Sequence, residues 1–588
     1  MKTIGKIISL GLLAGLTASC EDLKFGTNFL EKSQSDEMSI EDVFSQKRYA
    51  DQALNQFYKS LPDYMPAGDG YHKEAFILDV FSDIGYSSKM AWTHGSITAA
   101  SGKSNFPYQL TASELVGDPT YGIRKAYIYL ENVDRVADMT EEEKKIRKAE
   151  AKVVIGYHYM DMIRYFGAMP WIDHAYSADE IFKFPRLTLE ENVTRVVNML
   201  DDAAKDLPWY TTDAEYGHMT AAAAKAIKFR LLLFVASPLF NNNTPYYEGQ
   251  AAIERLIWYG DYQQSRWEAA LEAGREFIRM NKEHNDYYHV ENTGNPREDY
   301  VNGYFTKGNH EVVMASFRWA VYGKGIKPFR MYDQGYSLPR SSHADMFLWK
   351  DGTKFDWSNP EHKAHPFFDE NGNPTRDIRL YETLVVNGDK YKGRTAEVYK
   401  GGREGYGAGA KEGMKFQYGY GFRKFIRDKD SEMDKKPYSC PIIRMPEILL
   451  SLAEVMNQLG QATVKDEFGM DAYDYLNLVH ERAGLPKVTV TEVPVGESLL
   501  NYLLDERARE FGQEDVRYHD MRRYRKGAEW ATRPVEELVT TKVGNNEFNY
   551  QVNVREEKYR WFDHWYLVPF PVAEINKKYG LIQNPGWE

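Results

Sequence analysis

Helical periodicity covers most of this chain in separate segments. Apolar residues recur at three- and four-residue spacing in nine segments: 39–58, 121–136, 140–165, 188–208, 220–236, 262–280, 446–459, 472–483 and 496–511. Capping boxes mark two of the starts, Thr140 with Glu143 and Thr188 with Glu191. The helices come in pairs at roughly the tetratricopeptide spacing, which predicts amphipathic pairs stacked into a scaffold. A generic irregular helical domain is the alternative.

Two long stretches interrupt this pattern. Residues 64–119 are rich in glycine, serine and aromatic residues. Residues 294–436 are rich in glycine, asparagine, aspartate and proline, with short β-like runs at 311–317 and 380–386. Loops of this length are usually functional. The pattern therefore predicts a mostly helical fold in which an irregular region with a few short strands carries the functional site.

The amino-terminal residues 1–19 have the pattern of a secretion signal. Lys2 and Lys6 precede an apolar run at 7–16, and small residues then lead into Cys20. The run is too short to cross a bilayer, which needs roughly 20 apolar residues. The segment resembles a lipobox, in which the cysteine thiol acquires a diacylglycerol, although Thr17 stands where leucine is usual. We expect lipidation at Cys20; an ordinary cleaved signal is the alternative.

Composition excludes some partners and leaves others open. The net charge of −12, without a dense basic stripe, argues against nucleic acid. Aromatic residues make up 14% of the chain, with 42 tyrosines and 12 tryptophans. Such rings stack on sugars and bind peptides, but a large core or protein interface also uses them. Cys440 would have no partner if Cys20 is lipidated, and it is expected to be a small core residue.

Five segments together resemble the SusD/RagB family, the surface lipoprotein partners of TonB-dependent transporters in Bacteroidetes. The segments are 149–170, 223–240, 443–457 with 476–486, 505–523 and 567–587. The fourth contains Asp505-Glu506-Arg507-Ala508-Arg509-Glu510-Phe511, and the fifth ends in Gln583-Asn584-Pro585-Gly586-Trp587. The departures are modest: Pro446 and Phe570 replace the usual alanine and isoleucine.

The resemblance implies a fold, a location and a role. The fold is mostly α, with tetratricopeptide-like helix pairs packed against an irregular region. One SusD-like domain would span 20–588, divided at about 38–290 (scaffold), 291–440 (ligand side) and 441–588 (C-terminal helices and tail). The protein would be lipid-anchored in the outer membrane, exposed at the cell surface and non-catalytic. It would bind a glycan and deliver it to a SusC-like TonB-dependent transporter.

Motifs for catalysis or cofactor binding are missing from the sequence. Zinc-protease, phosphate-loop, dinucleotide and nucleophile-elbow motifs are absent. His362 and His365 fit a solvated loop better than a zinc site. Oxygen-rich residues at 369–377 could hold a structural calcium ion; otherwise no metal or cofactor is expected.

Glu506 and Glu510 are the carboxylates with the most suggestive spacing. They lie four apart on a predicted helix among arginines, which is typical of an exposed ion-pair ladder. A glycosidase acid and base would need a separation of about 5 to 9.5 Å. We favour the structural interpretation.

The candidate ligand residues come from the two long loops. The resemblance places a sugar platform near Trp92, and Asp83 could accept hydrogen bonds from hydroxyl groups. The second loop contributes the remaining candidates: Trp319, Tyr322, Tyr336 and Arg340. For each residue the alternative is packing in the core or against the transporter. Glycan binding is the expected function, peptide or other nutrient binding is the alternative, and an endo-acting glycoside hydrolase is a distant third.

Overall fold

The computed structural model describes most of the chain after its amino-terminal segment. The described residues are 39–62, 78–87, 95, 97–101, 110, 119–177, 180, 183–318, 337–406, 416, 418–425, 438–556 and 559–588. Cys20 and the whole predicted signal lie outside them. Within the described residues, no helix is long and apolar enough to span a membrane.

Helices dominate the described residues, as the sequence predicts. In chain order they are α1 (Ile40–Val43), α2 (Lys47–Tyr58), α3 (Pro119–Asn132), α4 (Glu141–Phe166), α5 (Leu189–Ala204), α6 (Ala221–Ala236), α7 (Gln250–Ile253), α8 (Ser265–Glu283), α9 (Pro296–Phe305), α10 (Ser341–Met346), α11 (Pro360–Ala364), α12 (Leu380–Thr383), α13 (Met445–Gln458), α14 (Ala472–His480), α15 (Glu497–Phe511), α16 (Arg517–Arg523), α17 (Gly527–Ala531) and α18 (Val572–Asn576). The expected fold class, mostly α with few short strands, is confirmed.

The long helices start where the capping boxes predict. The Thr140 hydroxyl accepts a hydrogen bond from the Glu143 backbone N–H, and the Glu143 carboxylate accepts one from the Thr140 N–H. Thr188 and Glu191 repeat this arrangement at the start of α5. These side chains satisfy backbone donors that a helix start leaves unpaired.

The scaffold helices pack side by side. Helix α3 lies against α4, α4 against α5, α5 against α6, α6 against α8, and α8 against α13. Glycines permit two close approaches: a Cβ at Gly156 would lie 2.7 Å from Leu200 Cδ2, and one at Gly274 2.6 Å from Leu452 Cδ2. The result is a continuous apolar core through the helical part.

The strands form five antiparallel two-stranded pairs among the described residues. They are β1 (Gly85–Tyr86) with β3 (Leu338–Pro339), β2 (Val312–Arg318) with β8 (Tyr438–Arg444), β4 (Leu384–Val385) with β7 (Gly421–Phe422), β5 (Lys390–Tyr391) with β6 (Arg394–Thr395), and β9 (Glu536–Gly544) with β10 (Glu547–Val554). Cys440 lies in β8 and is fully buried, which confirms its predicted core position.

One strand prediction needs correction, and one pair of strands was missed. The strand predicted at 380–386 is wrong in its first half, because these residues form α12 instead. Asp377 accepts hydrogen bonds from the Arg379 and Leu380 backbone N–H groups, and this starts a helical turn. The hairpin of β9 and β10 was not predicted from the sequence.

Residues 564–588 pack against the scaffold. The Trp587 indole N–H lies 3.0 Å from the carbonyl oxygens of both His564 and Leu567. Arg186 donates to the Asn584 side-chain oxygen at 2.9 Å. The Val568 backbone N–H donates to the Tyr165 carbonyl, which joins the tail to the end of α4.

Candidate functional site

The two long segments that contain the candidate aromatic residues are joined to the described structure by paired strands. In the β1–β3 pair, Tyr86 lies opposite Leu338. The segment after Ser87, which contains Trp92, and the segment before Ser337, which contains Tyr336, therefore begin and end beside each other. Trp92, Trp319, Tyr322 and Tyr336 themselves lie outside the described residues, and their contact with ligand stays a prediction.

A buried cluster of tyrosines lies beneath this junction. The ring centroids of Tyr86 and Tyr418 are 4.7 Å apart, and those of Tyr86 and Tyr559 are 5.6 Å apart. Leu338 and Val535 complete the cluster. Burial raises the pKa of Tyr559 above its usual value, so its hydroxyl stays protonated. The strand ends therefore rest on a rigid aromatic base.

Arg340 holds this base together. The guanidinium carbon lies 3.9 Å from the Tyr559 ring centroid, and Nε donates to the Gly85 carbonyl at 3.0 Å. The side chain is fully buried, and its Nη1 has no hydrogen-bond partner in the described part of the chain. Arg340 therefore joins β3 to β1. These interactions do not test its predicted contact with a ligand, which stays a prediction.

Asp83 lies in the same region as part of a buried ion-pair cluster. Its carboxylate accepts two hydrogen bonds from Arg517 and one from Arg533, each at 2.9 Å. Burial alone would raise the pKa of Asp83, but Arg517 and Arg533 outweigh it, and the pKa is lowered. Asp83 stays ionised and closed off from solvent, so contact with a ligand would require this region to open.

Glu506 and Glu510 are buried, which contradicts the expected exposed ladder. Both face inward from α15 and are surrounded by arginines. Glu506 pairs with Arg379 at 2.8 Å and Arg509 at 2.6 Å. Glu510 pairs with Arg482 at 2.6 Å, Arg444 at 2.9 Å and Arg379 at 3.1 Å. These residues form what we call the ionic core.

The ionic core does not have the properties of a glycosidase pair. Burial alone would raise the pKa of Glu506, but Arg379 and Arg509 outweigh it and hold the pKa well below its usual value. A glycosidase general acid requires the opposite, a carboxyl whose pKa is raised so that it carries a proton. The arginines therefore keep these carboxylates ionised and paired, which is a structural role.

The two candidate metal sites are not assembled by the described residues. The Asp369 carboxylate accepts hydrogen bonds from its own turn, from the backbone N–H groups of Asn371 and Asn373. Asp377 instead pairs with Arg379 at 2.8 Å. No group of three or more histidine, cysteine, aspartate or glutamate side chains in the described ranges is placed to hold a metal ion.

His362 was expected in a solvated loop, and this expectation is wrong. It lies in α11, it is buried, and its ring stacks on Trp349 with centroids 4.2 Å apart. Its Nδ1 accepts a hydrogen bond from the Asp356 backbone N–H. The aromatic neighbours are close in sequence, so the run of Trp349, Phe355 and Trp357 was the signal for burial.

Comparison with known proteins identifies two matching families. The SusD family profile matches residues 256–587, and a profile described as "Starch-binding associating with outer membrane" matches residues 28–233. No curated protein sequence matches the chain.

Solved structures share the fold at low sequence identity. A SusD-like protein from Bacteroides fragilis is 20% identical, covers 94% of this chain and 100% of its own, and has a TM-score of 0.69. A SusD-like carbohydrate-binding protein from the same species is 19% identical, with coverages of 91% and 98% and a TM-score of 0.65. A surface glycan-binding protein from Bacteroides fluxus is 16% identical, with coverages of 92% and 100% and a TM-score of 0.57.

Proposed function

This chain belongs to the SusD family, and on that premise we propose that it is a glycan-binding lipoprotein of the outer membrane. It is anchored through Cys20, exposed at the cell surface, and forms one SusD-like domain over residues 20–588. It binds oligosaccharide or polysaccharide and passes it, uncleaved, to a SusC-like TonB-dependent transporter.

The descriptions of similar proteins support two parts of the proposal, glycan binding and association with the outer membrane. One solved relative is described as a carbohydrate-binding protein, another as a surface glycan-binding protein and a third as a laminarin-binding protein. The profile that matches residues 28–233 is described as starch-binding and associating with the outer membrane. The lipobox-like sequence at Cys20 supplies the attachment.

The pairing of β1 with β3 is the observation that carries the proposal. It places the start of the Trp92 segment beside the end of the Tyr336 segment, on a base of buried tyrosines. Rings carried by these two segments would suit the apolar faces of a sugar chain, since aromatic side chains present large contact areas with few rotatable bonds. We therefore propose that Trp92, Trp319, Tyr322 and Tyr336 line the glycan site. The buried Asp83 and Arg340 would support it from below.

Substitution of Trp92 tests the site. Trp92→Ala should weaken oligosaccharide binding by roughly 1–3 kcal/mol, on the scale of ring stacking on nucleic-acid bases. Trp587→Ala is the matched control: it removes a buried indole far along the chain, so it should lower the melting temperature and leave affinity nearly unchanged. Calorimetric titration with a panel of oligosaccharides, paired with thermal melts, measures both.

Other outcomes of this experiment would redirect the proposal. If Trp92→Ala unfolds the protein, the ring belongs to the core and the site is elsewhere. If the unsubstituted protein binds peptides and no glycan, the peptide function replaces the glycan function. Chromatography of the recovered oligosaccharide should show no cleavage; turnover that a carboxylate substitution abolishes would make the protein a hydrolase.

Substitution of Cys20 tests the anchor. Cys20→Ala should release the protein from membranes, because the acyl chains contribute about 0.8 kcal/mol for each buried CH₂ group and are lost together. Membrane fractionation of cells without the partner transporter measures this. Tight membrane attachment of the variant would contradict the lipoprotein assignment.

A further inference from the structure

An open cleft lies in the helical scaffold, formed by helices that contribute nothing to the tyrosine cluster. It lies between the start of α5, the end of α6, the start of α8 and the connecting loop at 255–263, and its volume is about 310 Å³. Ligand pockets in proteins start at about this size, roughly 300–1,000 Å³. We call it the scaffold cleft.

The scaffold cleft has one apolar wall and one polar wall. The apolar wall consists of Val193, Leu232 and Val235, and the polar wall includes Tyr259 and Arg266. The exposed lining is more polar than apolar, and fixed polar groups of this kind set the orientation of a bound ligand.

The polar wall is held in place by a clamp. Arg266 donates to the Asn241 side-chain oxygen at 2.7 Å and to the Asp261 carboxylate at 2.6 Å. Its guanidinium carbon lies 4.0 Å from the Tyr259 ring centroid. Hydrogen bonds from Gln263 and Arg266 lower the pKa of Asp261. Asp261 and Arg266 are therefore both ionised, and their charges neutralise each other. The tyrosine ring is therefore fixed before any ligand arrives.

Several polar groups around the cleft are free to meet a ligand, and the Glu190, Thr194 and Arg255 side chains among them are exposed to solvent. Among the described residues, no hydrogen bond is formed by the Tyr259 hydroxyl, the Thr194 hydroxyl, the Glu190 carboxylate or the Arg255 guanidinium. Burial raises the pKa of Tyr259, and nearby Glu190 adds to the effect, so the hydroxyl stays a donor. Glu190 and Arg255 carry opposite charges that balance each other, and Arg255 also contributes to the lowered pKa of Asp261.

The backbone at Arg255 is strained. Its φ of 57° is in the left-handed region, where a side chain other than glycine costs of order 1–3 kcal/mol. The side chain lies against Gly260, where a Cβ would come within 3.0 Å of Arg255 Nε. This conformation ends α7: the Arg255 N–H donates to the Ala252 carbonyl and the Leu256 N–H donates to the Ala251 carbonyl, which satisfies the last carbonyl groups of the helix and fixes where the Arg255 side chain begins.

We infer that the scaffold cleft is a second binding site, for a small uncharged ligand rich in hydroxyl groups, such as one or two sugar residues. A neutral ligand matches the balanced charges, and its hydroxyl groups can both donate to Glu190 and accept from Tyr259 and Arg255. The inference does not depend on the Trp92 site.

The test is ligand-observed NMR on the full mature protein with a panel of hexoses and disaccharides. At least one sugar should bind in the millimolar range. Tyr259→Phe should weaken that binding about three- to tenfold, the usual effect of one lost hydrogen bond. Thr194→Trp should abolish it by filling the cleft. Tyr262→Phe is the matched control: Tyr262 is exposed three residues away, outside the lining, and its substitution should change nothing.

The outcomes separate this site from the proposed glycan site. Trp92→Ala should leave binding in the scaffold cleft intact, and Thr194→Trp should leave oligosaccharide binding at the loops intact. Thermal melts check folding, and if Thr194→Trp does not fold, the comparison of Tyr259→Phe with Tyr262→Phe decides. The inference is overturned if no sugar binds up to about 50 mM, a weak limit on the affinity scale. It is also overturned if Tyr259→Phe binds as tightly as Tyr262→Phe, or if only inorganic phosphate responds.

Discussion

Helices α6 and α15 are both buried, but they bury different kinds of side chain. Helix α6, at the centre of the scaffold, is mostly alanine, leucine and phenylalanine on its buried positions. Helix α15 buries leucines along one part of its surface and Glu506, Arg507, Arg509 and Glu510 along another. The first helix is stabilised mainly by removing apolar area from water. The second requires that every buried charge has a partner.

This difference determines how each region should respond to substitution. In an apolar core the cost of removing a side chain depends on the cavity left behind. In the ionic core, one substitution leaves several opposite charges without compensation, because each carboxylate serves more than one arginine. The two regions should therefore differ in the size of the loss and in its dependence on pH.

Removal of a shared carboxylate should have the largest effect. Glu510→Ala leaves Arg379, Arg444 and Arg482 short of a partner and should destabilise the protein by about 3–5 kcal/mol or prevent folding. Leu200→Ala, in the apolar core, should cost about 2–5 kcal/mol. Urea unfolding followed by circular dichroism measures both. A loss below about 1 kcal/mol for Glu510→Ala would mean that the ionic core is not a compensated network.

A second, smaller effect should appear in the pH dependence of stability. Asp79 is fully buried, and its pKa is raised to about 8 by burial and by Asp515. The folded state therefore retains a proton that the unfolded state loses near pH 4. The contribution of this group to stability declines as pH rises from about 4 to about 8.

Asp79→Asn should remove this decline. The amide cannot ionise, and its oxygen can still accept the hydrogen bond that the Gln513 N–H makes to Asp79. The variant should gain stability relative to the unsubstituted protein between pH 5 and pH 8, by a few kcal/mol at most, since one pKa unit corresponds to about 1.4 kcal/mol. Melting temperatures of both proteins across this range give the difference. A constant difference at all pH values would contradict the raised pKa.

An exposed ion pair should show the smallest effect. Lys152 and Asp202 join α4 to α5 at 2.6 Å, with side chains 33% and 53% exposed. Lys152→Ala should change stability by less than about 1 kcal/mol, and the change should shrink further at high salt. The same urea measurement at two salt concentrations checks this. A loss as large as that of Glu510→Ala would remove the distinction between buried and exposed charge in this fold.

The scaffold could be predicted from the sequence because its signals are local. Thr140 and Glu143 predict the start of α4, and the observed helix ends at Phe166, one residue from the predicted end. Caps and three- to four-residue periodicity lie within one segment, so no distant partner is needed to recognise them.

The ionic core could not be predicted in the same way. A helix that carries Glu506 and Glu510 among arginines has the pattern of a solvent-exposed surface. Its burial depends on Arg379 and Arg444, which are 127 and 66 residues from their partners Glu506 and Glu510. The family motif at 505–523 marked the right residues, but their structural role became visible only with their partners.

The ligand contacts of the candidate site stay a prediction. Asp83 and Arg340 were chosen from the loops as ligand residues, and the structure gives both of them partners inside the protein. The Asp83 carboxylate accepts hydrogen bonds from Arg517, 434 residues later, and local sequence contains no sign of such a contact. The ring predictions at Trp92 and Tyr336 stay open to the binding experiment.

The contact between Arg186 and Asn584 spans 398 residues, and it has a consequence for how the protein is made. The scaffold around the end of α4 lacks part of its packing until the tail is present, so we expect folding to finish only after synthesis of these last residues. Contacts at such separation form slowly, because a long loop must close before they form. For a lipoprotein exported through a secretion signal, as we propose, this delay would keep the chain in an unfolded form that a secretion channel can accept.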